Sequence, residues 1–568
     1  MLIARYIAFF GALLIPVLTS AGENKSLNFH QVIARYKALD SLYEEARVMG
    51  FGKTDDGHTL NLFIISKEKN FDPYLLKKQN FCVLFINNGI HPGEPDGIDA
   101  SVLVAEKLLA GGRESLPDSV AICILPVFNI EGALNRGCCS RANQNGPEEY
   151  GFRGSGQNLD LNRDFIKVDS RNTHSLIRIL RLWDPDVILD THVSDGADYA
   201  YTMTLIASQH NKMNATMGKY MKSEFTPEIF HRMAEKRDTI SYHVNCEDPK
   251  TPDEGFAAYL ETPRYLSGYG SLFNAYCFIS ESHMLKPFEE RRSSTMRLIE
   301  SLIDICADNR LDIRQTRALA YREEQKLKTY SYNYECDSSK SENIEFAGYE
   351  AAYKPSRITG MQRLYYDRTR PYVKKIPFYN TYRPTKTTKV PRYFLIPSSY
   401  NFIAGMLELN NVEIIRVSDD SSTNATVQYI EDFETTNSPY EGHYLHYNVR
   451  TRNEVQKVRV RNGDYLIPLD QQNKRFILET LLPDAVDSYF CWGFFDSWLQ
   501  QKEWFSPYVF EDTGAELLET DPAIRKQFEE WKGKHPDASS IDQLYYLYRL
   551  SPYFEKETFR RYPIYTLY

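Results

Sequence analysis

At 568 residues the chain is too long for one ordinary core, and two or three domains are expected. A composition of 42% hydrophobic and 25% charged residues is that of a globular protein and excludes a disordered or fibrous one. The formal charge of -9 is mixed along the sequence and leaves no basic patch for nucleic acid.

The first 21 residues carry a basic position (Arg5), an apolar stretch and a small-residue end at Ala21. That is the pattern of a secretory signal peptide, with an apolar stretch shorter than the roughly 20 residues a spanning helix needs. The mature protein is expected to start near Gly22 and to work outside the cytoplasm, periplasmic or secreted, with no membrane span after signal removal. None of the nine cysteines shows CxxC spacing, so a cysteine-held zinc is not expected.

Residues 28–48 read as a helix, and from about 50 to 300 short apolar strands alternate with helices. "TLNLFIISK", "FCVLFIN", "SVAICILPVFN", "VILDTHV" and "AYCFISES" are strands, while "GIDASVLVAEKLLAG" and "NTHSLIRILRLWDPD" are helices. This alternation predicts an α/β fold with a mixed, largely parallel sheet flanked by helices over residues 22–310. Residues 311–344 are charged and polar and read as a connecting segment. Alternating strands make 345–470 a β-rich accessory domain, with "YNFIAGMLELN" as a helix within it. Asn462-Gly463 predicts a hairpin between "NEVQKVRV" and "YLIPL". Residues 471–568 read as mostly helical, most clearly over "ELLETDPAIRKQFEEWKG". Forty tyrosines, many in the C-terminal half, read as ordinary half-buried residues, and that half as a region packed beside the site and restricting access to it.

Ligands of buried, largely parallel sheets bind beyond the carboxyl ends of the strands. "FIN-NGIHPGE" places His91 and Glu94 there, and "ILD-THV" places His192 beside them. Two histidines and a glutamate are one common catalytic zinc set, which keeps a fourth position for water. Glu281, after the apolar run in "CFISESHML", stands at a further strand end and suits a catalytic base. His443 and His446 sit at i and i+3 of a strand-like stretch, so they point to opposite faces and are not read as a metal pair.

Four blocks in order, "HPGE", "FNIEG", "NLDLNRDF" and "ILDTH", followed by the glutamate of "SES", resemble the zinc carboxypeptidase family, the carboxypeptidase A-like metallopeptidases. The resemblance covers roughly residues 50–300, and "DLNRDF" is its most specific block. It implies that His91, Glu94 and His192 hold one zinc ion and that Glu281 is the general base. It also implies that Asn162 and Arg163 grip a substrate's terminal carboxylate, a contact suited to arginine's planar fork. Asp160 corresponds to an acid that orients the first histidine ligand. Arg153 corresponds to the oxyanion-stabilising arginine, with Arg141 as its competitor. The family's substrate-covering tyrosine falls among Tyr259, Tyr265 and Tyr269, and Arg264 is a further candidate for a substrate anion.

The expected activity is that of an exported zinc-dependent carboxypeptidase hydrolysing the C-terminal amide bond of peptides through a metal-bound water. The alternatives are a related zinc amide hydrolase acting on cell-wall peptides or N-acyl amino acids, and a non-catalytic extracellular binding protein of the same fold.

Overall fold

The computed structural model describes residues 24–246 and 248–568. The expected signal peptide, residues 1–21, lies outside the described residues. The α/β fold takes the form of an eight-stranded mixed sheet. Its strands are β1 (Ala46–Lys53), β2 (Thr59–Ser66), β3 (Cys82–Asn87), β4 (Val120–Leu125), β5 (Val187–Ser194), β6 (Met203–Ala207) and β7 (Ser241–Tyr242). After the two-residue β8 (Phe256–Ala257), which joins another sheet, β9 (Tyr276–His283) completes it.

The order is β1-β2-β4-β3-β5-β9-β6-β7, with β4, β3, β5 and β9 parallel to one another. β3, β4 and β5 are buried at every position, which is why β3, β4 and the first three residues of β5 are near-continuous apolar runs. Helices Phe29–Leu42, Asp96–Ala110, Thr226–Glu235 and Phe288–Asp308 pack on one face. Helices Arg171–Trp183 and Leu266–Leu272 pack on the other.

The first helix is shorter than expected. It ends at Leu42, and residues 46–48 belong to β1, paired antiparallel with β2. Tyr43 is already extended, which releases the chain into the sheet edge.

The stretch expected to connect, 311–344, is ordered structure: helix Arg310–Gln325, strand β10 (Thr329–Cys336) and the start of β11 (Glu342–Pro355). Its charges are used rather than solvated. Arg317 is buried, with Nη1 2.7 Å from Asp186 Oδ1 and Nε donating to Asn274 O.

β11 forms a long ribbon with β12 (Gln362–Tyr379), and β10 pairs with β13 (Tyr382–Lys389). A six-stranded sheet follows, built from β14 (Tyr393–Ile396), β15 (Ile415–Arg416), β16 (Ser421–Thr435), β17 (His446–Val460), β18 (Tyr465–Pro468) and β19 (Tyr565–Leu567). Its order is β15-β18-β14-β19-β16-β17. The turn at Asn462-Gly463 does not make the expected hairpin, because β17 pairs with β16 while β18 pairs with β14 and β15. Asp464 redirects the chain by accepting from the backbone of both Arg461 and Ser398.

Helix Asn401–Leu409 lies where expected. "ELLETDPAIRKQFEEWKG" is two helices, Pro507–Thr520 and Pro522–Lys534. Asp521 caps the second through Ala523 N and Ile524 N, and Pro522 cannot extend the first because it lacks an N–H.

One apolar core runs from Phe85 of the sheet through Tyr269 and Phe273 to Phe394, Phe476, Trp492 and Ile564. The C-terminal region therefore shares the core of the sheet on that face. No helix among the described residues is long and apolar enough to cross a membrane.

Candidate metal centre and active site

β3 ends at Asn87, and the chain turns into His91–Glu94, closed by Glu94 N donating to His91 O at 2.9 Å. Helix Asp96–Ala110 then begins hard against β5. A Cβ on Gly97 would lie 2.0 Å from Thr191 Oγ1, so only glycine allows this approach. The contact fixes the His91–Glu94 turn next to the residue preceding His192.

The ligand atoms of His91, Glu94 and His192 lie within 4.8 Å of one another, all on buried residues. The two Nδ1 atoms are 3.1 Å apart, and His192 Nδ1 is 3.0 Å from Glu94 Oε2. Each histidine's other nitrogen faces a carboxylate: His91 Nε2 is 2.9 Å from Asp160 Oδ1, and His192 Nε2 is 2.8 Å from Asp190 Oδ2. A carboxylate can only accept, so each Nε2 donates to its partner, and each ring turns its Nδ1 toward Glu94 and the other histidine, where loss of a proton makes it a ligand atom.

The electrostatics favour a cation there. Burial opposes charge on His192, but Asp190 and Glu94 outweigh it and raise its pKa well above the usual value. Burial likewise works against an ionised Glu94, and the facing His91, Arg141 and His192 hold its carboxyl well below the usual range. Two inward imidazole nitrogens and an ionised carboxylate are a donor set that fits a divalent zinc-type ion.

Glu281 sits on β9 in register with His192, on the same face of the sheet. Burial pushes its carboxyl up to about 8, opposed by His192 and reinforced by Glu94 and Asp190. Asp160 caps the short turn Leu161–Arg163 by accepting from Asn162 N at 2.9 Å. Its Oδ2 takes Arg153 Nε at 3.0 Å and Nη2 at 2.8 Å. Arg153 Nη1 is also 3.5 Å from Glu94 Oε1, and its side chain stays 45% exposed, so part of the fork remains accessible.

Arg141 is more fully engaged, donating to Gln144 Oε1, Glu94 Oε1 and Val193 O. Asn162 is buried, its Oδ1 accepting from Leu266 N at 3.0 Å and its Nδ2 3.4 Å from His192 Nε2. Arg163 lies over the Tyr265 ring, 4.4 Å from its centroid.

Other candidates are placed elsewhere. Tyr269 is buried in the core, with its hydroxyl on Asn410 Oδ1. Tyr259 packs edge-on against Tyr265, 5.8 Å between ring centres. Arg264 does not offer its charge to a substrate, because it is paired with buried Asp487, Nε to Oδ1 at 2.8 Å. His443 bonds to Asp169 and His446 to Asp496, so the two do not converge.

No family model matches the sequence. Among curated proteins, the chain is 22% identical to Carboxypeptidase 2 of Trichophyton rubrum over 434 residues, 72% of this chain and 73% of the relative. The same values hold for Carboxypeptidase 2 of Trichophyton equinum. The chain resembles the zinc carboxypeptidase family. Among solved structures, a metallo-carboxypeptidase from Burkholderia cenocepacia matches 50% of this chain and 70% of that one at 15% identity and TM-score 0.34. Carboxypeptidase A from Helicoverpa armigera matches 53% and 75% at 14% identity and TM-score 0.36.

The carboxypeptidase-like site also contains groups that sequence reasoning did not single out. Asp190 is one, and its signal was available: in "LDTH" it stands two residues before His192, on the same face of a strand. Tyr440 and Glu441 are others, and nothing local in the sequence ties them to a site formed about 280 residues earlier.

Proposed function

We propose that the protein is an exported zinc-dependent carboxypeptidase that hydrolyses the last peptide bond of substrates with a free C-terminal carboxylate. The observation that carries this reading is the convergence of two inward histidine Nδ1 atoms and Glu94 within 4.8 Å, beside the Asn162–Arg163 turn. Kinship with proteins named Carboxypeptidase 2 supports it.

His91, Glu94 and His192 would hold the ion, with Asp160 and Asp190 fixing the histidine rings. Zinc supplies Lewis-acid polarisation of the scissile carbonyl and makes water a better nucleophile at neutral pH. Glu281 accepts the proton of the attacking water and returns it to the leaving amine. Arg153, with its accessible edge next to Glu94, stabilises the developing oxyanion. Asn162 and Arg163 receive the terminal carboxylate and so place the last peptide bond at the metal. The pattern of residues 1–21 supports export, and N-terminal sequencing of the mature protein should begin near Gly22.

Amidating a peptide's C-terminus removes the charge that Arg163 meets. Free-acid peptides should be cleaved and their amides left nearly intact, with activity lost on chelation and restored by zinc. Equal cleavage of acid and amide would remove the carboxypeptidase reading and leave a zinc amide hydrolase.

A further inference from the structure

The hairpin loop between β16 and β17, residues 436–445, reaches from the six-stranded sheet into the candidate active site. Tyr440 Oη accepts from Arg163 Nε at 3.0 Å, and Glu441 Oε2 accepts from Asp160 N at 2.7 Å. His443 Nε2 is 2.8 Å from Asp169 Oδ2, a third tie five residues beyond Asp164. The tip is a tight turn in which Tyr440 and His443 exchange backbone hydrogen bonds at 2.6 and 3.1 Å. Its centre is Glu441 at φ 50 and Gly442 at φ 85. A glutamate in the left-handed region is strained, and such strain persists where surrounding contacts over-determine it. Here the contact is the carboxylate on the backbone of Asp160.

We propose that Tyr440 and Glu441 are positioning residues of the active site, which aim the Arg163 guanidinium at the substrate's terminal carboxylate. Three sides of that guanidinium are fixed: Tyr265 lies beneath it at 4.4 Å, Asn162 O takes Nη1 at 2.9 Å, and Tyr440 takes Nε. Among the described residues, Nη2 has no hydrogen-bond partner, and it is the part of the fork left for a ligand. Glu441 acts one step earlier, holding the backbone from which Asp160, Asn162 and Arg163 project. Tyr440 is itself braced by Trp492, with ring centres 6.2 Å apart and planes within 18°. The proposal rests on the carboxypeptidase reading for its kinetic consequence, but not for the positioning itself.

Tyr440→Phe keeps the ring and removes only the acceptor. It should raise KM for a free-acid peptide about tenfold, and more than it lowers kcat, as expected for one lost hydrogen bond to a charged group. It should also speed labelling of Arg163 by phenylglyoxal, followed by peptide mass mapping, with the far-UV circular dichroism of the parent retained. Glu441→Ala should act in the same direction, and Glu441→Gln, which keeps a carbonyl for Asp160 N, should restore the parent values. Unchanged labelling of Arg163 in Tyr440→Phe overturns the positioning role whatever the kinetics. Faster labelling with unchanged KM overturns its importance for substrate. A parent enzyme that cleaves acids and amides alike defeats the carboxypeptidase reading, and the labelling comparison then still decides the positioning role.

Discussion

His192 presents its Nδ1 to the centre of the site because Asp190 holds its Nε2 at 2.8 Å. Asp190→Asn would keep an acceptor there but lose the charge that raises the ring's basicity. Zinc affinity, measured by competition with a chromophoric chelator, should fall about 10–100-fold. Glu281→Gln separates base from ligand: the amide accepts no proton, so turnover should drop about 10²–10⁴-fold while elemental analysis still finds one zinc per chain. Metal loss in that variant would make Glu281 a ligand instead. His91, Glu94 and His192 were legible through the order of "HPGE", "DLNRDF" and "ILDTH", since a three-residue spacing alone arises readily by chance. Asp190 was legible in principle by strand alternation. Arg264, by contrast, stood as a candidate for a substrate anion because its partner, Asp487, is remote in sequence.

At the scale of elements, Arg291 ties together the start of two helices and a loop beside the site. It is fully buried and donates Nε to Asp96 Oδ2 at 2.8 Å, with further bonds to the carbonyls of Asn145, Gly146 and Lys286. Arg291→Met would leave the buried Asp96 carboxyl without its guanidinium partner. Breaking such a pair typically costs about 3–5 kcal/mol, which urea unfolding should register as a lower midpoint. A midpoint unchanged from the parent would show that Ser282, which already donates to Asp96 Oδ2, satisfies the carboxylate together with water. The strands and helices of the sheet were readable because burial on both faces forces apolar runs on β3, β4 and the start of β5. Helix Arg310–Gln325 was not, since its arginines look solvated until Asp184 and Asp186 are placed beside them. The Asn462-Gly463 turn was real as a turn, but local chemistry does not say which strand a departing segment will join.

For the whole molecule, the shared core makes the C-terminal region a structural partner of the metal site. Phe476 packs on Tyr269 and Phe273, and buried Arg475 donates to Ser271 O at 2.8 Å. The full chain is therefore expected to unfold in one calorimetric transition. A fragment spanning 24–344 would expose the apolar face that Phe394, Phe476 and Trp492 cover. It should be insoluble or lack a cooperative transition, and a soluble fragment with a sharp one would contradict a common core.

The placement of β19 bears on how the protein is made. Residues 565–567 lie between β14 and β16, and Tyr562 nearby is buried with its hydroxyl on Leu481 O. Until the ribosome has delivered those residues, β14 and β16 each present an open edge in the nascent polypeptide. The sheet that carries the Tyr440 loop thus closes only after synthesis of its last strand. Replacing residues 565–567 with a flexible linker would reopen the sheet between β14 and β16.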